Sequence, residues 1–205
     1  MRSDEALMAA YVGGEAAAFR ELFDRHAPSL LRSMRRDLRS PEEAADLVQQ
    51  CFLQLHRARN DFDPAQRLRP WLFTIALNLK REYFRRVKRR PEAALEVANE
   101  PHTTHRGAER LEAAQALARA FAEVPVQQRE VIELHWFDEL SFHEIAQVLG
   151  ATVSAVKVRA HRGYARLREL LSDIELPAGA LPLDEPTADA NGNPAAASDI
   201  GVGKP

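Results

Sequence analysis

The chain has 205 residues, of which 45% are hydrophobic and 28% charged, and a formal net charge of -2. This supplies buried cores for one medium domain or two small ones and excludes a protein that coats DNA by uniform positive charge. Cys51 is the sole cysteine, which excludes an intramolecular disulfide and a cysteine metal cluster.

The opening stretch MRSDEALMAAYVGGEAAAF holds no apolar run of signal-peptide or membrane-span length, so a cytoplasmic protein without membrane insertion is expected. Asp4 to Tyr11 has the spacing of a short helix, broken at Gly13-Gly14. Helical spacing resumes from Glu15 to His26 through Ala18, Phe19, Leu22 and Phe23. Pro28 suits the first turn of a further helix, where its missing amide costs nothing. That helix runs through Leu30, Leu31, Met34 and Leu38. Ser40-Pro41-Glu42-Glu43 marks another start, with a capping serine, a proline at the first position and acids in the first turn. Ala44, Leu47, Val48, Cys51, Phe52 and Leu55 then form an inward stripe, in which Cys51 reads as a small buried hydrophobe. Asp46, Gln49, Gln50 and Gln54 lie off it.

Asn60 to Arg69 reads as a loop with a turn at Asp63-Pro64. From Pro70 a long helix runs through Trp71, Leu72, Ile75, Ala76, Leu79 and Tyr83 to FRRVKRR, with Trp71 expected in the core. Residues 91–110 lack periodicity and carry Pro101, Gly107, His102 and His105; they read as a flexible linker with two solvated histidines. Leu111 to Val124 and Gln127 to Phe137 are helical. From Leu176 the chain is rich in Pro, Ala, Gly, Asp and Asn and is expected to be disordered. No segment alternates as a strand does. The expected fold is all-α: helical domains at 1–90 and 111–172, a linker at 91–110 and a disordered tail at 173–205.

The stretch Leu140 to Leu171 organises the second domain. Phe142, Ile145, Ala146, Val148 and Leu149 give one helix an apolar stripe. Gly150 stands where a helix ends in a left-handed residue, and Thr152 can cap the next. In that next helix Val153, Val156, Ala160, Tyr164, Leu167 and Leu171 share a face. Ser154, Ala155, Lys157, Val158, Arg159, His161 and Arg162 cover the rest. This is the helix-turn-helix pattern, whose second helix fits the DNA major groove. A plain helical hairpin with a solvated basic face has the same outline. DNA is favoured because the outer face is basic near its start, small residues stand where base edges approach, and no carboxylate follows until Glu169.

Charge is also concentrated between Arg67 and Arg90, where Glu82 is the only acid. Lys80, Arg81, Arg85, Arg86, Lys88, Arg89 and Arg90 can neutralise phosphates, aromatic faces there can stack on unpaired bases, and Asn78 can read base edges. The run from Arg85 to Arg90 is denser than a solvated helix end needs.

Taken together, the blocks AFRELFDRHAPSLLR, DLVQQCFLQLHR, PWLFTIALNLKREYFRR and VPVQQREVIELHWFDELSFHEIAQVLGATVSAVKVRAHRGYARLREL resemble, in order, those of sigma factors of bacterial RNA polymerase, in the extracytoplasmic-function (ECF) group of the sigma-70 family. The resemblance covers nearly everything from Asp4 to Leu171. It implies core RNA polymerase, promoter DNA and an anti-sigma factor as partners. The helix with Asp46, Leu47, Gln49, Gln50 and Phe52 resembles the one that docks on the polymerase clamp helices, although the family often has an acid where Gln50 stands. The loop from Asp61 to Arg69 and the helix after it resemble the part that captures and melts the -10 element, which carries that role to Asn78, Lys80, Arg81, Tyr83, Arg85 and Arg86. The helix-turn-helix resembles the -35 reader, with Ser154, Lys157, Val158, Arg159, His161 and Arg162 as its contacts. The linker would thread toward the polymerase active-site cleft. There is no Gly-rich phosphate loop, no metal-ligand spacing among the seven histidines and no nucleophile-base set, so neither catalysis nor a cofactor is expected. The rival reading, a helix-turn-helix regulator that binds an operator, leaves DLVQQCFLQLHR and the basic Trp71 helix without a role.

Overall fold

Helix ends in this protein follow local capping chemistry until packing overrides it. The computed structural model describes residues 1–38, 40–89 and 108–172, with the backbone alone described for 108–114. The expected linker, its histidines His102 and His105, and the expected tail lie outside those residues. Among the described residues all regular structure is helical. The chain divides into two compact units, one carrying helices α1 to α4 and the other carrying most of the remainder.

In the first unit α1 spans Asp4–Val12. Ser3 Oγ accepts from the Ala6 amide at 3.1 Å, and Asp4 and Glu5 lie at the positive end of the helix. The chain leaves through Gly14 at φ +99, a conformation open to glycine at no steric cost. Helix α2, Ala16–Asp37, runs straight through Pro28. The expected break there does not occur. Leu22, His26, Leu30 and Met34 recur every four residues and are buried, while Pro28 faces outward. An interior proline costs about 3 kcal/mol; burying each large side chain of the stripe gives back roughly 1.5–3 kcal/mol. Across the α1–α2 junction Asp4 pairs with Arg25 and lies 2.9 Å from His26 Nε2. The hydrogen bond from His26, then Arg25, holds the Asp4 carboxyl below its ordinary range.

Helix α3, Pro41–Arg57, starts as its sequence directs: Ser40 Oγ accepts from the Glu43 amide at 3.2 Å. Its six stripe residues are all buried. Burial pushes the Cys51 thiol up to about 12, so Cys51 is an inert part of the core. Helix α4, Leu68–Arg89, begins two residues earlier than expected. Glu5 of α1 reaches across and accepts from the Leu68 amide at 3.2 Å, a cap invisible in the local sequence. Helix α4 packs against α1, α2 and α3, which explains why Phe73 and Leu77 are buried as well as Leu72, Ile75, Ala76 and Leu79. Trp71 is not in that core: it is half-buried and lies over Phe62, their ring centroids 5.2 Å apart.

The remaining helices are α5 (Ala108–Glu123), α6 (Val126–Trp136), α7 (Phe142–Leu149) and α8 (Val153–Leu170). Helix α8 packs on α6 and α5. Its approach to α6 depends on Gly163, where an added Cβ would stand 2.7 Å from Ile132 Cδ1 and 3.2 Å from Gln128 Cβ. Between α6 and α7 the chain turns through Glu139 at φ +52. His135, buried, hydrogen-bonds the Leu140 carbonyl through Nδ1 at 2.8 Å and stacks on Phe142 at 4.4 Å. Its burial pushes its pKa down. Ser141 and Glu144 cap α7 reciprocally: the Glu144 amide donates to Ser141 Oγ at 3.3 Å and the Ser141 amide to Glu144 Oε2 at 2.9 Å.

Candidate nucleic-acid interfaces

The turn before α8 is built as its residues dictate. Gly150 takes φ +60, and Thr152 Oγ1 accepts from the Ala155 amide at 3.2 Å, so the start of α8 is fixed by its own cap. Val156, Ala160, Tyr164 and Leu167 are buried. Ser154, Lys157, Val158, His161 and Arg162 are exposed and Arg159 is half-buried. Ser154, Lys157, Val158, His161 and Arg162 therefore share one surface, and Arg159, about 140° from Ser154 around the axis, lies off it. Val158, 46% exposed, is an apolar side chain in the middle of it, suited to contact with a thymine methyl. Among the described residues Lys157, Arg159 and Arg162 form no ion pair, whereas Arg166, a turn later, bridges Glu169 at 2.7 Å. Lys157 and Arg159 thus offer cations without a competing carboxylate among the described residues.

The far end of α4 is divided. Asn78, Arg81, Arg85, Lys88 and Arg89 are exposed and recur at three- and four-residue spacing, which puts them on one stripe. Arg86 is exposed off that stripe. Glu82 pairs with Arg85 one turn away. Lys80 and Tyr83 turn the other way. Lys80 Nζ lies 2.6 Å from Asp37 Oδ2, and the Tyr83 hydroxyl donates to Glu43 Oε2 at 2.7 Å. The six residues assigned to one surface are thus not one surface. Asp37 and Glu43 escaped the sequence reading because they lie some forty positions upstream, with no local signal joining them to α4.

On α3, Asp46, Gln49 and Gln50 are exposed. Leu47 and Phe52 are 2% and 3% exposed. Phe52 packs against the rings of Phe23 at 4.7 Å and Phe19 at 6.1 Å. These two residues support the helix from behind and do not face a partner. Leu53, 47% exposed, is the apolar residue that shares the outer face with Asp46, Gln49 and Gln50. Its position three residues after Gln50, off the inward stripe, was the signal for it. Among the described residues no cluster of His, Cys, Asp or Glu could hold a metal ion, and no helix is long and apolar enough to cross a membrane.

A helical body with a basic, partly aromatic helix and a second unit with a helix-turn-helix fit a class of DNA-binding protein, and comparison with known proteins gives the family. The descriptions Sigma-70 region 2 and Sigma-70, region 4 match residues 22–90 and 114–167. The chain is 35% identical to the RNA polymerase sigma factor CarQ of Myxococcus xanthus, over 80% of this chain and 94% of that one. It is 35% identical to the ECF sigma factor SigM of Mycobacterium tuberculosis, over 83% and 85%. The solved structure of CnrH in complex with the cytosolic domain of CnrY superposes with a TM-score of 0.66 at 32% identity, covering 85% of this chain and all of that one. The chain belongs to the sigma-70 family, in its ECF group. It is a sigma factor, and it directs promoter-specific transcription initiation.

Proposed function

We propose that the two units divide promoter recognition between them while core RNA polymerase supplies the chemistry. In this reading residues 1–90 bind polymerase and the -10 element, 91–110 link, 111–172 bind the -35 element, and the factor works in the cytoplasm without catalysing a reaction. The outer face of α3, formed by Asp46, Gln49, Gln50 and Leu53, docks on the polymerase. The stripe Asn78, Arg81 and Arg85 on α4, with Arg86 beside it, meets the -10 region. Ser154, Lys157, Val158, Arg159, His161 and Arg162 of α8 meet the -35 duplex. An anti-sigma factor restrains the protein, a reading supported by its likeness to CnrH, whose structure was solved with CnrY.

The observation that carries this division is the pair of cationic helix faces, one in each unit. A duplex contact at -35 anchors the promoter, and counterion release makes that grip salt-dependent. Extruding a -10 base costs a few kcal/mol of unstacking. Stacking on an aromatic side chain, worth about 1–3 kcal/mol per base, together with phosphate contacts, offsets that cost without nucleotide hydrolysis.

Run-off transcription with purified core polymerase tests the reading. Initiation from a cognate promoter is expected in the presence of this chain, and removal of residues 176–205 should leave it intact. A chain that binds DNA yet confers no initiation would instead be an operator-binding regulator.

A further inference from the structure

The end of α4 carries more charge than its outer stripe uses, and the two residues that turn away from that stripe are held by carboxylates. At about 100° per residue, Arg81, Arg85 and Arg89 lie within roughly 60° of Asn78 around the helix axis. Lys80 and Tyr83 lie roughly 140–160° from it, on the side of the buried residues Leu72 and Ala76. The Lys80 and Asp37 side chains are only 13% and 22% exposed where they meet at 2.6 Å. Asp37 is the last residue of α2. Glu43, which accepts from the Tyr83 hydroxyl at 2.7 Å, sits in the first turn of α3, its own amide capped by Ser40. Two carboxylates flanking the α2–α3 junction therefore grip two successive inner positions of α4.

A lysine paired this way is a poor phosphate ligand. Leaving Asp37 to reach DNA would strand a half-buried carboxylate, and a phosphate drawn to Lys80 would meet Asp37 and Glu43 as like charges. The Tyr83 ring, anchored through its hydroxyl and met edge-on by Phe84 at 5.3 Å, is fixed in orientation before any base arrives. We propose that Asp37 and Glu43 are positioning residues for promoter opening: they brace Lys80 and Tyr83 so that Tyr83 presents a fixed stacking face, while phosphate neutralisation falls to Arg81 and Arg85. This rests on the reading of α4 as the -10 helix.

The test uses full-length protein assembled with core polymerase on a promoter fragment carrying 2-aminopurine in the -10 element. Two quantities are read: the slope of log binding constant against log salt, and the fluorescence of the opened base. Each phosphate contact contributes roughly 0.7–0.9 to the slope. Arg81→Gln and Arg85→Gln should each lower the slope by about that amount. Lys80→Met should leave the slope unchanged and reduce opening on the order of tenfold, a change that corresponds to 1.4 kcal/mol or so. Asp37→Asn, which preserves shape, should reproduce the Lys80→Met defect, and the double variant should be no worse than either. Tyr83→Phe and Glu43→Ala should reduce opening alike, and Glu43→Gln, which keeps an acceptor oxygen, should lose less. A slope that falls for Lys80→Met as it does for Arg81→Gln would overturn the bracing role while leaving the -10 assignment in place, and so would tighter promoter binding by Asp37→Asn. Unchanged slopes for both arginine variants would sink the -10 assignment and the bracing role together.

Discussion

Helices α4 and α8 are both assigned to DNA, yet they hold their basic side chains in opposite ways. On α8 Lys157, Arg159 and Arg162 form no ion pair among the described residues, while Arg166 bridges Glu169. On α4 Lys80 and Arg85 are already paired, and Tyr83 is tied to Glu43. The difference matches the two tasks. Duplex DNA presents a regular groove, so a reader gains from unobstructed cations and a smooth apolar point such as Val158. A helix that must catch a base leaving the stack gains more from side chains already fixed in place, because order supplied by the fold is not lost again on binding.

The largest expected effect tests whether α3 is divided in the same way, between supports and contacts. Phe52→Ala should destabilise the first unit by about 3–5 kcal/mol. Urea unfolding followed through Trp71 in a Trp136→Phe background measures it. An unaltered Trp71 transition with lost polymerase binding would make Phe52 a contact and not a support. Next in size, Gly163→Val should cost about 1–3 kcal/mol through the collision with Ile132 and Gln128. It should appear in the fluorescence of Trp136 in a Trp71→Phe background and leave the first unit alone.

On the DNA side, Lys157→Ala should weaken -35 binding and lower its salt slope by roughly 0.9. Arg162→Ala, if the arginine reads a base, should cost about 1–3 kcal/mol and relax sequence preference at one position. Core polymerase binding should survive both. Its loss would merge the two surfaces that the comparison keeps apart.

The smallest effect is a difference in acid sensitivity. His135 has its pKa pushed below the ordinary 6.5 by burial. The unfolded chain therefore takes up a proton first as pH falls through 6.5, and the second unit loses stability from there downward. Asp4, held below the ordinary 3.8, contributes stability that is complete above that value and lost only beneath it. Between about pH 6.5 and 4 the Trp136 transition should move to lower temperature while the Trp71 transition stays. Replacing His135 by Gln should remove the pH dependence of the second unit.

Much of the fold was legible because it is written in near neighbours. Ser40-Pro41-Glu42-Glu43 started α3, Gly150 and Thr152 turned the chain into α8, and apolar residues at helical spacing named most of both cores. The outer face of α8 was legible for the same reason: on a single helix, spacing alone decides which side chains share a face. The misreadings arose where distant residues act. Pro28 suggested a break, but the continuous stripe from Leu22 to Met34 outweighed it. Trp71 headed an inward pattern, yet Phe62 from the loop covers it only in part.

The order of residues thus determined that the described residues fold into helices, that α7 and α8 form a helix-turn-helix, and which α8 side chains face outward, because capping and periodicity depend on neighbours three or four positions apart. Only the tertiary structure decided which α4 side chains are tied to other helices. Asp37 and Glu43 reach Lys80 and Tyr83 across some forty positions of sequence, and a contact that long exists only once α2, α3 and α4 have packed together.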